Sequence, residues 1–158
     1  MIIILDDILS VEECNHLISI HQQNKDLWNV HEPGGLAYIL LDKAIKQHKN
    51  EFDIHVNKIS NVVTNIVNDI KIEWSEIVCR PQHSYQNIHI DDASQDSILT
   101  SITYLNNDYR GGETIFSDGT SIAPKIGRTV IFDGLKHYHG VNSISNNDRY
   151  IMPIWYKK

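Results

Sequence analysis

Ser97-Ile98-Leu99-Thr100-Ser101-Ile102-Thr103-Tyr104-Leu105 is a run of aliphatic, β-branched and aromatic residues that stops at Asn106-Asn107-Asp108. The run has the length and composition of a strand, and the Asn/Asp cluster that ends it is turn chemistry. The same pattern of short apolar run and polar break continues outward in both directions. It predicts strands near 72–80, 85–90, 97–105, 113–116, 120–123, 128–132, 137–142 and 149–156. Nothing between these runs is long enough for a crossover helix, so the eight strands argue a sandwich or barrel rather than a parallel sheet.

Upstream of residue 70 the periodicity is helical. Ser10-Val11-Glu12-Glu13 reads as a capping box, and Val11, Cys14, Leu17, Ile18 and His21 mark one buried stripe of a helix running to about residue 23. Pro33-Gly34-Gly35 marks a turn before a strand over 36–41. A second amphipathic helix fits 51–69, with Ile59, Val62, Val63, Ile66, Val67 and Ile70 along one face. No repeat, low-complexity tract or linker interrupts the chain. The expectation is one domain over 1–158, mainly β with N-terminal helices, in which 1–70 supports a β core over 71–158.

Lys and Arg number 14 against 20 Asp and Glu, a formal charge of −6, which offers no basic face for nucleic acid or anionic lipid. At 41% hydrophobic and 22% charged residues, the chain lies in the globular range and wholesale disorder is excluded. The apolar start Met1–Leu5 meets Asp6-Asp7 at once, too short for a signal peptide or membrane span, so a cytoplasmic location is expected. Frequent Ile and Asn with scarce Ala suggest an AT-rich coding genome, bacterial or viral. Cys14 and Cys79 cannot build a disulfide framework and read as buried small residues. Trp28, Trp74 and Trp155 read as core, and His48 and His55 as solvent-facing.

His89-Ile90-Asp91 ends one of the strands, and period-two alternation turns His89 and Asp91 to the same face. Alone, H-x-D is a weak signal, because His and Asp are common caps and turn formers. His139 in Tyr138-His139-Gly140-Val141 is a further candidate, and Arg149 opens the last strand. Two neutral imidazoles and a carboxylate form a facial triad that leaves positions open on Fe(II). Arg149 supplies an always-charged fork for a carboxylate held away from the metal. His137 would share the strand face of His139; the spacing to Arg149 and the following Gly140 favour His139, leaving His137 at the mouth or in solvent. His83 fits a turn or surface position.

Several stretches, in order, resemble the Fe(II)/2-oxoglutarate dioxygenases, and among them the prolyl 4-hydroxylase-like branch. They are Ile4-Leu5-Asp6-Asp7-Ile8-Leu9-Ser10 with Glu12-Glu13-Cys14, Thr103-Tyr104-Leu105-Asn106, Gly111-Gly112-Glu113-Thr114, Pro124-Lys125-Ile126-Gly127-Arg128 with Val130-Ile131-Phe132-Asp133, and Arg149-Tyr150-Ile151 with Trp155-Tyr156.

The resemblance implies a double-stranded β-helix, or jelly roll, braced by two or more helices, with iron at its open mouth. It implies His89, Asp91 and His139 as Fe(II) ligands, Arg149 on the distal carboxylate of 2-oxoglutarate, and Tyr104 hydrogen-bonding the same cosubstrate. The segment Cys79-Arg80-Pro81-Gln82-His83-Ser84-Tyr85 departs from the branch, with Arg80 near its usual tyrosine, and Tyr85 is expected to compensate from a shifted position. The implied reaction consumes O2, converts 2-oxoglutarate to succinate and CO2, uses ascorbate as reductant, and hydroxylates a prolyl residue in a peptide or protein. Loops 28–38, 81–87 and 91–97 are expected to recognise that substrate. Rival readings are a hydroxylase of a free amino acid or other small molecule, an idle metal-binding jelly roll, and a zinc hydrolase. Arg149 counts against the last two, since neither needs a distal carboxylate clamp.

Overall fold

A computed structural model describes residues 1–91 and 97–158. The chain runs β1 (Ile2–Leu5), α1 (Val11–Gln23), β2 (Asn29–His31), β3 (Ala37–Leu41), α2 (Lys49–Ile66), β4 (Lys71–Arg80), β5 (Gln86–His89) and β6 (Ser97–Tyr104). It continues through β7 (Arg110–Gly111), β8 (Thr114–Phe116), β9 (Ser121–Ile122), β10 (Thr129–Phe132), β11 (His139–Val141), β12 (Ile144–Ser145) and β13 (Arg149–Lys157). Among the described residues the strands form a seven-stranded sheet, β1-β10-β6-β13-β4-β3-β2, a four-stranded sheet, β5-β11-β8-β9, and the small pair β12-β7. Pairing is antiparallel throughout the large sheet. This is the jelly-roll arrangement of a larger and a smaller sheet.

Both faces of the large sheet are buried, which is why its central strands lack the simple apolar/polar alternation of a half-exposed sheet. One face of β13 carries Met152, Ile154 and Tyr156, which join Ile77 of β4 and Leu17, Ile20, Phe52, Val56 and Ile59 of the helices in one core cluster. The other face turns inward: Ile151, Val78, Ile102 and Tyr104 pack with Phe116 and Phe132 in a second cluster between the sheets. The helices therefore brace the outer face of the large sheet, and the inner face is left for chemistry.

Helix α1 begins as expected, with Ser10 Oγ accepting from the Glu13 amide and the Glu13 carboxylate accepting from the Ser10 amide. Val11, expected in the buried stripe, is 50% exposed in the first turn. Helix α2 ends at Ile66 rather than 69, because Val67 adopts extended angles and Asp69 takes a positive φ of 60° to turn the chain into β4. Its buried face is Phe52, His55, Val56, Ile59, Ser60 and Val63, so Ile66 lies past the contact and is exposed. His55 was expected in solvent and is instead buried, its Nε2 3.2 Å from His16 Nδ1 where α2 meets α1. Among the described residues, no helix is long and apolar enough to cross a membrane.

His21 is fully buried, 3.0 Å through Nε2 from the Tyr38 carbonyl and stacked on Trp28 at a centroid distance of 4.4 Å. Burial pulls it down from 6.5 to about 4. The unfolded chain binds this proton below the ordinary value and the folded protein refuses it until about 4, so stability falls as pH drops through that window. The loss is on the order of 3 kcal/mol. Urea midpoints across pH 7 to about 4 in wild type and His21→Gln measure it: the variant's decline is shallower, and parallel declines would refute this account.

Candidate metal and cosubstrate site

The two imidazoles meet because β5 and β11 pair antiparallel with His89 directly opposite His139. Asp91 follows β5, held by its amide donating to the Gly134 carbonyl at 2.9 Å. Asp91 Oδ1 lies 3.7 Å from Nε2 of each histidine, and the three donor atoms fall within 4.8 Å of one another. The Nδ1 atoms of His89 and His139 sit 2.9 Å from the carbonyls of Asn87 and His137, respectively. With each Nδ1–H donating to its carbonyl, Nε2 carries the lone pair that can ligate a metal; at His89 the Gln86 amide nitrogen lies 3.3 Å from it and would have to yield to the ion. Thr100 Oγ1 donates to Asp91 Oδ2 at 2.6 Å, which leaves Oδ1 for the same purpose.

The electrostatics suit a cation. Burial works to raise Asp91, yet the His89 hydrogen bond, the His139 charge and Thr100 hold its carboxyl below the ordinary value. Burial pulls His139 down toward its neutral, ligating form. His137 points elsewhere, with Nδ1 3.0 Å from the Asp133 carbonyl and Nε2 3.1 Å from the amino group of Met1.

Gly134 shows how tightly Asp91 is seated. A Cβ there would collide with Asp91 Oδ2 and approach Thr100 Oγ1 to 2.5 Å. Gly134→Ala is therefore expected to weaken metal affinity ten- to hundredfold, the usual range for disturbing a ligand's support. Anaerobic cobalt titration reads this directly, and affinity within twofold of wild type would count against the packing argument.

Arg149 is fully buried at the start of β13. Its Nε donates to the Gly112 carbonyl at 3.0 Å and its Nη2 to Thr114 Oγ1 at 3.2 Å, while the guanidinium lies over the Tyr104 ring at 5.3 Å. Nη1 is buried with no acceptor among the described residues. Tyr104, also fully buried, engages Thr114 Oγ1 at 2.5 Å through its hydroxyl. Gly112 takes a positive φ of 67°, and its Cβ position is crowded by the Tyr109 ring and Arg149 Cδ, so no side chain fits between them.

A cavity of about 130 Å³ holds the triad, walled by Val78, Arg80, Ile102 and Ile151 among others. Arg149 and Tyr104 do not line it; they adjoin Ile151 and Ile102 on the same inward strand faces. Arg80 does line it, opposite Arg149 in the β4–β13 register. Burial and the Arg149 charge pull Arg80 down to about 10. Two buried guanidiniums with no carboxylate salt-bridge partner among the described residues are costly by several kcal/mol unless an anion joins them. The donor set thus fits a divalent metal, and the orphaned Arg149 Nη1 fits an anionic cosubstrate.

Tyr85 stands apart from this group. Its ring is 47% exposed and does not line the cavity, while its carbonyl accepts from Arg80 Nη1 at 3.3 Å. His83 takes a positive φ of 71° in the turn after β4, and the chain re-enters the sheet with Gln86, not Tyr85, facing inward. Thr100, Thr114 and Glu76 were not foreseen, and Arg80 was marked only as a departure from the branch; Glu76 and Arg80 share the parity of Val78 on β4, but the sequence does not say which face of that strand turns inward.

Residues 76–157 match the 2OG-Fe(II) oxygenase superfamily. The chain belongs to that family. That family is named for Fe(II) and 2-oxoglutarate, and the donor set described above fits both. Over 64 residues it is 33% identical to prolyl 3-hydroxylase 2 of Rattus norvegicus, a match covering 36% of this chain and only 9% of that protein's length. Two solved structures share its fold at low identity. The viral collagen prolyl hydroxylase of Paramecium Bursaria Chlorella virus-1, in its 2OG complex, aligns with TM-score 0.72 at 19% identity, over 99% of this chain and 95% of that one. A prolyl hydroxylase from Trichoplax adhaerens, in complex with a hypoxia inducible factor peptide fragment, aligns with TM-score 0.80 at 14% identity, over 99% and 83%.

Proposed function

We propose that this oxygenase hydroxylates a prolyl residue in a peptide or protein, with His89, Asp91 and His139 holding Fe(II) and Arg149 holding the distal carboxylate of 2-oxoglutarate. Bound iron supplies the O2 activation that is coupled to decarboxylation of the cosubstrate to succinate and CO2. The chain's own groups do the rest. His89 and His139 place their lone pairs on Nε2 by donating from Nδ1 to backbone carbonyls, and Thr100 holds Asp91 with one oxygen turned toward them. Three protein ligands leave positions open for cosubstrate and O2. The metal and Asp91 together carry one positive charge, the cosubstrate dianion outweighs it by one, and Arg149 balances that, while the Arg80 charge rests on the carbonyls of Gly35, Leu36 and Tyr85.

The observation that carries the cosubstrate assignment is the fully buried Arg149 with an unused Nη1 beside the triad's cavity. The prolyl preference is supported by likeness to prolyl hydroxylases in fold and, over the shorter match, in sequence. Anaerobic addition of Fe(II) and 2-oxoglutarate, followed optically, tests the centre. Succinate release with O2 and ascorbate across proline peptides and free amino acids, with the product gaining one oxygen atom, tests the substrate. Turnover with a free amino acid and none with peptides would replace the prolyl reading, and a zinc form active without O2 would replace both.

A further inference from the structure

The inner face of β4 carries a carboxyl that the chemistry above does not use. Glu76 is only 9% exposed and lines the triad's cavity together with Val78 and Arg80. Among the described residues its carboxyl makes no hydrogen bond, and the Arg80 charge acts on it only through space. Arg80 is four residues along the same strand, roughly 13 Å away at about 3.3 Å per residue, and its Nη1 is already committed to the carbonyls of Gly35, Leu36 and Tyr85. Burial, with the Asp91 and Asp42 charges, pushes Glu76 up to about 8 against the opposing pull of Arg80, so no cation close enough to hold it ionised is in place.

Glu76 also lines an outer groove of about 410 Å³ with Leu41, Asp42, Lys43, Trp74 and Trp155. Glu76 and Trp155 border both spaces, so they stand where the groove meets the triad's cavity. The Trp74 and Trp155 rings are stacked, centroids 4.7 Å apart and tilted by 21°. Trp155 Nε1 is a buried donor without an acceptor among the described residues. A buried carboxyl that no hydrogen bond engages, beside two indole faces, is complementary to a positively charged nitrogen, which would hold it ionised through a charge-assisted hydrogen bond and add cation–π attraction. An idle indole N–H next to it suits a carbonyl oxygen. The net charge of −6 also favours encounter with cationic ligands.

The geometry points to Glu76, Trp74 and Trp155 as a recognition site for a cationic nitrogen of the prime substrate, with Trp155 Nε1 donating to an adjoining carbonyl. This rests on reading the triad as the oxygenase centre. The nitrogen belongs either to a basic side chain beside the residue hydroxylated in a peptide or to the amine of a free amino acid. Binding to the zinc-loaded, 2-oxoglutarate-bound protein without O2 separates the two. The peptide arm compares a capped proline peptide flanked by lysines with the same peptide carrying glutamine in those places. The free arm compares L-proline and L-lysine with their N-acetyl forms.

In one arm the charged probe is expected to bind at least tenfold tighter than its neutral partner by calorimetry, and that arm names the source. In Glu76→Gln, which keeps the shape of the side chain, the preference falls to within about twofold. Equal binding of charged and neutral probes in both arms overturns the inference, and so does a preference that survives in Glu76→Gln. Succinate release by the iron form without prime substrate is measured alongside. Its absence would undermine the oxygenase reading, whereas its presence with no charge preference would sink only the role of Glu76.

Discussion

Arg149→Met lowers the affinity for 2-oxoglutarate by roughly 2–5 kcal/mol, about thirtyfold to several thousandfold, while iron binding changes far less. The substitution removes the guanidinium that Gly112 and Thr114 hold and would leave the distal carboxylate unpaired in a buried place. Tyr104 and Thr114 hold each other through their hydroxyls, so the surrounding wall survives the change. Arg149→Lys keeps the charge but loses the fork, and is expected to fall between the two. Anaerobic titration of the iron form at fixed ionic strength measures all three. An Arg149→Met protein within about twofold of wild type, a difference of about 0.4 kcal/mol, would dismiss Arg149 as the carboxylate anchor.

His89→Ala, Asp91→Ala and His139→Ala each reduce coupled turnover to background and weaken Fe(II) binding by at least about a hundredfold, as expected when a three-ligand site loses a ligand. The fold survives these changes better than the site does. His89 is a third exposed at the cavity and Asp91 adjoins it, so neither anchors the apolar clusters. His137→Ala retains turnover, because its side chain faces Asp133 and Met1 and only its backbone carbonyl supports His139. Iron affinity and succinate output measured together decide the matter. A dead His137→Ala beside a working His139→Ala would reverse the ligand assignment.

The strands of the β core were legible because each apolar run is bounded by Asn, Asp, Gly or Ser, and the His-x-Asp pair because alternation places both residues on one face. What escaped notice depends on contacts between residues distant in the chain. On β4 both faces are buried, so no pattern says whether Glu76 and Arg80 or Ile77 and Cys79 face the cavity; the β13 register decides it. Thr114 cannot be tied to Arg149 before β8 is placed opposite β13. Tyr85 illustrates the converse, since a plausible aromatic near the right position was turned outward by the conformation of a single turn residue, His83. The burial of His55 likewise follows from where α1 crosses α2, which helical periodicity alone does not reveal.

Strand β13 lies between β6 and β4, in the interior of the seven-stranded sheet, although it is late in the sequence. A polypeptide emerging from the ribosome therefore makes β4 and β6 long before the strand that joins them. Until then each presents an unpaired edge and two sticky faces, the state in which nascent β proteins aggregate. Pairings this distant also make closure slow. Arg149, the guanidinium proposed to hold the cosubstrate, arrives on that same strand, so sheet completion and completion of the proposed site are one event. A chain stalled before residue 149 is expected to expose these edges and to lack the proposed anchor for 2-oxoglutarate.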